Sequence, residues 1–277
     1  SDVYKRQYSN FMDLLTHESL IRIGFFAGGL TLFWSLGLAF SFRQVGKVDR
    51  FRWGNNLALT VLNSVLVRIA MPLSLVALAK EAQHQQWGLL TYFDMPTPLG
   101  IIISVILLDG MIYFQHVVFH KVPFLWRLHR VHHSDVGFDA TTALRFHPIE
   151  IALSLVVKAI AIMAFGFSPL AIVIFEVMLN FSAMFNHANF SLPESVERVL
   201  KRVLVTPDMH RVHHSVLQKE TDSNYGFCLS IWDYVFRTYT KQSVRDLRQH
   251  SNIGVEVFRA PSDQRIDQLL LQPFRKP

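Results

Sequence analysis

LGIIISVILLDGMIYFQHVVFH, residues 99–120, is an apolar run long enough to cross a bilayer, and it ends in two histidines four residues apart. A helix needs roughly 20 apolar residues to span the hydrocarbon, and positions i and i+4 of a helix share a face. His116 and His120 are therefore presented side by side at one end of a membrane helix, as helical metal ligands require. Further spans and further histidines should accompany them.

Four other stretches approach the same length: Leu20 to Phe42, Leu57 to Ala79, Ile149 to Phe165 and Pro169 to Phe185. The last two are joined by a tight turn at Gly166–Ser168, a hairpin that need not span fully. Composition agrees, with 51% hydrophobic and only 17% charged residues and a positive mean hydropathy, which is not that of an ordinary soluble protein. The net charge of +6 then marks a cytoplasmic side rather than nucleic acid. One cysteine, Cys228, excludes an intrachain disulfide and a thiolate metal cage, so a metal would need histidine or carboxylate. Residues 1–7, SDVYKRQ, read as non-native read-through and are set aside, and no signal peptide is expected before Asn10.

Arg43, Lys47, Arg50 and Arg52 face one acid, Asp49, in the loop after the first span, whereas the loop from Lys80 to Pro98 has one base against Glu81 and Asp94. The first loop is therefore expected in the cytoplasm. Counting crossings from there puts His120, His147, His187 and everything after on the same side.

The hexapeptide HRVHHS occurs twice, at His129–Ser134 and His210–Ser215. Histidines at i, i+3 and i+4 of a helix fall within about a 100° arc. One H-x-x-H-H is expected by chance in roughly 0.03 of chains with this histidine content, so two copies point to ligation. His147 and His187 are lone histidines at the ends of apolar helices, raised as candidates by their context. Asp109, Tyr113, His116 and His120 form a polar stripe on the third span. His147, Glu150, Ser154 and Lys158 form another on the fourth, and Glu176, Asn180 and His187 a third on the fifth. Intramembrane ionisable residues are functional candidates. Lys158 and Glu176 each lie eleven residues from their histidine, roughly 16 Å along a helix, and should pair across the hairpin. His17, His84 and His250 have no partner at useful spacing and read as surface or interfacial. Thr206-Pro207-Asp208 reads as a helix start before His210. Val196, Val199, Leu200 and Val203 beside Arg198, Lys201 and Arg202 suit either a helix on an anionic membrane surface or one packed on the domain.

So many clustered imidazoles exceed what one ion can use, and two metals fit better. Imidazole suits iron, zinc, copper and nickel alike, so spacing does not name the metal. A pair of irons acting on O₂ at the membrane face would explain both the ligand excess and the apolar helices, which would deliver a lipid chain. The alternatives are a membrane zinc-dependent hydrolase and a metal-binding or transport protein.

From Asp109 to Tyr239 the sequence resembles the fatty acid hydroxylase/sterol desaturase superfamily of integral-membrane di-iron oxygenases. The matching pieces are DGMIYFQHVVFH, LWRLHRVHHSD, TTALRFHPIE, FNHANF, TPDMHRVHH and TDSNYGFCLSIWDYVF. The bacterial sterol desaturase branch is most similar, and WRLHRVHHS with TTALR is also similar to the alkylglycerol monooxygenases. The resemblance implies an all-α integral membrane fold, about four to five membrane helices with a cytoplasmic helical cap holding a histidine-rich binuclear site. Metal ligation is then implied for His116, His120, His129, His132, His133, His147, His187, His210, His213 and His214. Asp222, Asn224 and Tyr225 match the segment where contacts to ligands or substrate would lie. Asp109, Tyr113, Asp135, Asn186 and Asn189 are also placed by sequence to support the ligands. Arg237 stands where the family commonly has glycine. Implied function is O₂-dependent hydroxylation or desaturation of a lipid C–H bond (fatty acyl, sterol-like or ether lipid) by two iron ions. Electrons would come from a ferredoxin, small cytochrome or reductase, or from a pterin as the alkylglycerol monooxygenase likeness suggests, since the chain has no dinucleotide motif and no cysteine set for an iron-sulfur cluster. Expected organisation is N-terminal membrane helices in 1–98, the di-iron domain in 99–241 and a cytoplasmic tail in 242–277, in the inner membrane of a bacterium.

Overall fold

The computed structural model describes residues 17–71, 74–93 and 95–276; segment 1–7 lies outside them. The described residues are helical, with no strand and two isolated bridges, Leu204 to Leu229 and Ser215 to Ile253. Five stretches are long and apolar enough to cross a membrane: Glu18–Ala39, Asp49–Tyr92, Thr97–Lys121, Pro148–Phe165 and Pro169–Asn186. The chain is an integral membrane protein. Its spans show lipid-facing apolar side chains, Ile102 and Ile160 each being 55% exposed, which only a hydrocarbon surround tolerates over so wide an area.

α1 (Glu18–Ala39) runs along α7 (Pro169–Asn186). The second span is not the single helix expected from Leu57 to Ala79. α2 (Lys47–Ala70) ends at Met71, with φ −127° and ψ 79°, and α3 (Leu75–His84) follows as a separate short helix. Met71 precedes Pro72, and the residue before a proline is pushed out of the α region. α3 packs Leu75, Val76 and Ala79 into the core shared by α4 (Thr97–Lys121), α6 (Pro148–Phe165) and α7.

Proline punctuates the histidine-bearing helices. α4 stops at Val122, and Pro123 opens α5 (Pro123–His133). Pro148 opens α6, Pro169 opens α7 behind the Ser168 cap, and Pro207 opens α9 (Pro207–His213). Thr206 caps α9 by accepting from the Met209 amide at 3.3 Å. A proline at the first helical position loses no hydrogen bond, because that N–H has no intrahelical partner. Between α7 and α9 lies the short α8 (Glu194–Leu200). After α9 come α10 (Gln218–Thr221), α11 (Ile231–Val235) and α12 (Ile266–Leu271). At the far end of the hairpin, Gly88 and Gly166 both have positive φ, and a Gly88 Cβ would meet the Gly166 amide at 2.1 Å. Only glycine permits that turn-on-turn contact.

Inside the bundle, Lys158 Nζ lies 3.6 Å from Glu176 Oε1, and Arg22 from α1 reaches Glu176 Oε2 at 3.1 Å. The sequence reading had no place for Arg22. One buried carboxylate thus joins three helices. Glu176→Gln is expected to destabilise the protein more than Lys158→Met, because it leaves two cations without a partner. Thermal unfolding in nanodiscs should show the double variant more stable than the summed single effects by about 1 kcal/mol, and strict additivity would dismiss the coupling.

The segment 242–276 is braced against α2 and the histidine-bearing segments. Leu269 packs with Leu59 and Val131, and Ile253 with Phe138 and Val212. Two of the bases that follow α1, Arg43 in the connecting loop and Arg52 on the first turns of α2, are consumed structurally. Arg43 donates to the Gly137 and Val136 carbonyls, and Arg52, fully buried, pairs with Asp135 and Asp139.

Candidate metal centre

Each histidine arrives on a helix end. α4 carries His116 and His120 on its last turns, and α5 carries His129, His132 and His133. His187 caps α7, and α9 supplies His210 and His213 with His214 at its C-cap. Nine of these imidazoles converge in two buried groups. One comprises His116, His120, His129, His133 and His213, the other His132, His187, His210 and His214, and in each the candidate ligand atoms lie within 4.8 Å of one another.

The two hexapeptide copies are divided crosswise. The i and i+4 histidines of the first copy, His129 and His133, join the first group and its i+3 histidine, His132, the second. In the second copy His210 and His214 join the second group and His213 the first. His133 and His214, one from each copy, stack in parallel at 4.3 Å between the groups.

Inward-facing nitrogens approach closely without donors to satisfy them. His116 Nε2 lies 3.1 Å from His129 Nε2, and His187 Nε2 lies 3.2, 3.2 and 3.0 Å from the Nε2 atoms of His132, His214 and His210. Ligands bound about 2.1 Å from one ion have nitrogens roughly 3.0 to 3.4 Å apart, set by octahedral or tetrahedral angles. Both nitrogens of His120 and His133 and Nε2 of His213 are buried without a hydrogen-bond partner among the described residues. An unpaired buried nitrogen is costly, and a bound cation removes that cost. Burial, and after it neighbouring imidazoles, hold His132, His133, His210 and His214 well below the ordinary value of 6.5. Burial takes His213 to about 3 and His187 to about 4 against opposing hydrogen bonds. The rings are therefore neutral at pH 7, the form that ligates metal. The residues present fit two metal ions.

Four of the nine Nδ1 atoms are tied to fixed acceptors, which aims the inner nitrogens of those rings. Nδ1 of His116 donates to the Tyr225 carbonyl at 2.8 Å, that of His187 to the Ala183 carbonyl at 2.7 Å, and that of His213 to the Ser223 carbonyl at 2.7 Å. His129 Nδ1 meets Glu150 Oε1 at 2.6 Å. Glu150 was visible in the polar stripe of the fourth span but not as a partner of His129; its place on the first turn of α6, three residues after His147, was the available signal. Glu150→Gln is expected to weaken metal retention about 10- to 100-fold, measured by competition with a chelator.

His147 lies outside both groups. Its Nδ1 accepts from the Ile149 amide at 3.2 Å, capping α6, and its Nε2 faces the Leu270 carbonyl at 3.2 Å. The structure turns it toward the tail rather than toward the other imidazoles, because its backbone sits in the extended cap conformation before Pro148. Among the other residues singled out, Asp222 Oδ1 is 3.6 Å from His120 Nδ1 and pairs with Lys121 at 2.9 Å. The Tyr225 ring stands beside His116, His120 and His213. Asp109 accepts from the amides of Cys228 and Leu229 and from the Trp232 indole, binding the α11 region to α4. Tyr113 bonds Thr238 at 2.8 Å, Asn186 donates to the Phe227 carbonyl and Asn224 to those of Met209 and Thr240. Asp135 and Asn189 engage Arg52 and Arg43 respectively. These residues, with Asp109, brace the elements that carry histidines and do not touch imidazole nitrogens. Arg145, from the TTALR stretch, caps α5 by donating to the Val131 carbonyl at 2.8 Å and to Ser134 Oγ at 2.8 Å.

Two groups of buried imidazoles, carried by the ends of the membrane-crossing α4 and α7 and by the short helices α5 and α9, define a polyhistidine membrane protein built to hold metal. Residues 101–238 match the family described as Fatty acid hydroxylase, and through this domain the chain belongs to that family. Ornithine lipid hydroxylase from Rhizobium tropici is 26% identical over 199 residues, which cover 67% of this chain and 56% of that protein. Alkylglycerol monooxygenase from Caenorhabditis elegans is 32% identical over 155 residues, 55% of this chain and 30% of that one. Very-long-chain aldehyde decarbonylase from Oryza sativa subsp. indica is 26% identical over 211 residues, 71% and 30% of the two chains. The chain thus spans between 30% and 56% of the length of these relatives. No solved structure matches it.

Proposed function

We propose that this chain is a membrane di-iron oxidoreductase that uses O₂ to hydroxylate or desaturate a C–H bond of a lipid. The observation that carries the reading is the crosswise division of nine histidines into two groups, which gives two adjacent ions a shared scaffold. Its relatives include proteins named as a lipid hydroxylase and a monooxygenase. Two irons held there would supply reductive O₂ activation and hydrogen abstraction from an unactivated carbon.

The chain's own residues hold, aim and dry the centre. The carbonyls of Tyr225, Ala183 and Ser223 and the Glu150 carboxylate keep Nδ1 turned outward. Trp126 and Tyr225 cover the first group, and Phe138 and Phe146 the second, so water is excluded from both. We read 99–241 as the oxygenase domain, 1–98 as the membrane anchor and 242–277 as a brace, with the centre on the cytoplasmic face of the inner membrane. An external ferredoxin, small cytochrome or reductase would dock on the exposed basic cap surface near Arg245 and Arg248.

Protein purified without added metal should contain about two irons per chain and consume O₂ when reduced. Cells carrying it should accumulate a lipid that has gained one oxygen or lost two hydrogens. Zinc in place of iron, with lipids unchanged under aerobic reducing conditions, would overturn the reading.

A further inference from the structure

α11 is a helix of five residues outside the spans, yet it packs along the side of one. The Trp232 indole donates to Asp109 at 2.9 Å, and a Cβ on Gly110 would meet the Trp232 ring at 3.0 Å. Phe236 stacks on Tyr113 at 5.5 Å and meets Phe114 edge-on at 5.0 Å. These α4 residues precede the end of the span at Lys121 by roughly 10 to 18 Å at the helical rise. α11 therefore lies beside the membrane helix rather than beyond it. Its outward residues are apolar: Ile231, Val235 and Phe236 are 48%, 60% and 45% exposed.

The end of α8 is stitched to α11. Ser230 donates its amide to the Val203 carbonyl at 3.1 Å and its hydroxyl to the Lys201 carbonyl at 2.8 Å, and Tyr234 donates to the latter at 3.0 Å. On the inner side of α8, Glu197 is buried and accepts from Thr206 at 2.7 Å. Val196 and Val199 consequently face outward, as does Val203 on the following turn, and all three are exposed. A helix packed on the domain by its apolar row would bury that row. The two outward faces instead join the exposed Phe114 of α4 in one apolar ledge, which extends the lipid-facing surface of the span.

The charges on the ledge have one sign. Arg198, Arg202 and Arg237 are exposed and Lys201 is half-buried, against one exposed acid, Glu194, which pairs with Arg198 at 2.8 Å. Arg237 has φ +59°, a left-handed conformation that strains a side chain and that glycine adopts freely. The chain nevertheless keeps a cation there, next to Phe236. A cation beside a membrane span reaches headgroup phosphates along its aliphatic stem.

We infer that the α8–α11 ledge lies in the surface layer of the bilayer leaflet bordering the histidine centre, where its arginines bind anionic phospholipid headgroups. The apolar row supplies burial and the cations supply selectivity. Such binding requires no turnover, so its failure and the failure of the oxygenase reading are separate results.

The test uses the full chain in nanodiscs of phosphatidylcholine and phosphatidylglycerol, with a trace of either lipid carrying a diazirine at the head of one acyl chain. After irradiation, adducts mapped by mass spectrometry are expected in residues 194–204 and 231–237, with phosphatidylglycerol in excess once the amounts present are allowed for. Val199→Glu combined with Val235→Glu, both at exposed positions, should remove the adducts of both lipids. Arg202→Gln and Arg237→Gly should each lower the phosphatidylglycerol excess about fivefold, the effect of one basic residue near an anionic surface, and leave the phosphatidylcholine adducts in place. Because glycine relieves the positive φ, Arg237→Gly should melt no lower than the parent, which separates lost lipid binding from unfolding. Adducts absent from both segments, equal yields from the two lipids, or crosslinks between α8 of two copies in place of lipid would overturn the inference.

Discussion

Replacing His187 with alanine is expected to remove one metal ion and abolish turnover. His187 is the hub of the second group, its Nε2 lying 3.0 to 3.2 Å from three other imidazole nitrogens. Without it three candidate ligands remain. Loss of a group that merely orients a ligand lowers affinity or activity about 10- to 100-fold, so loss of the ligand itself should exceed 100-fold. Metal content should fall from about two ions per chain to about one, with the five-nitrogen group still loaded. His213→Ala should weaken the other group instead, which keeps four imidazoles, although His213 sits only three residues from His210. A spectroscopic signature that separates the two sites would read this directly. Equal loss of both ions in both variants would count against two separable groups. His147→Ala supplies the contrast. It removes a helix cap, with an expected effect of about 1 kcal/mol on stability, and both ions should remain.

The second large effect is expected at Arg52. Its guanidinium is fully buried and reaches Asp135 at 2.7 Å, Asp139 closely, and Asp49 at 3.5 Å. Arg52→Met leaves these carboxylates facing one another without their shared cation. Breaking a buried ion pair by removing one partner destabilises by about 3 to 5 kcal/mol, enough to deplete the folded protein in a membrane extract. Asp135 follows directly on the first HRVHHS and Asp139 on Phe138, so the loop between the groups should loosen first and metal should be lost before the spans unfold. Circular dichroism, which reports the spans, and metal content should then separate on heating. The same network sets an acid limit. Burial works to raise the Asp135 carboxyl, but Arg52 and Arg145 and hydrogen bonds from Gly137 and Thr142 outweigh it and hold the group at about 2, against an ordinary 3.8. A carboxyl lower in the folded than in the unfolded chain stabilises above its unfolded value and loses that contribution as pH falls. Cap stability should therefore decline between pH 3.8 and about 2, and in Arg52→Met, which removes the largest influence holding the group down, that decline should shrink.

Helical metal ligation imposes a local spacing, and for that reason the His116/His120 pair and both hexapeptides could be read from the chain. Local rules likewise exposed the Thr206-Pro207 helix start and the apolar spans. Identical hexapeptides, however, carry no instruction about which imidazole serves which ion. That assignment comes from the way α5 and α9 face each other, with His133 stacked on His214. His147 shows the same limit. A histidine before a proline at the head of a polar stripe serves equally as cap or ligand, and the carbonyl of Leu270, far along the chain, decides the matter. Arg22 was unreadable as a partner of Glu176 because the contact joins opposite ends of the membrane region. Pro72 was in plain view, but the apolar run on both sides of it masked the end of α2 at Ala70.

The arginines inside the duplicated hexapeptide bear on how the protein is made. Arg211 grips the carbonyls of Ala188 and Phe190, already synthesised when it emerges. Arg130 instead donates to the carbonyls of Gln272 and Arg275, and Ser134 and Arg145 take partners from Gln272 and Gln264. The first triplet therefore waits for chain made more than a hundred residues later. Until that stretch has left the ribosome, α5 lacks its clasp while the membrane helices are already inserted. Closure of the first triplet is therefore expected only after residues 264–275 have emerged, later than that of the second.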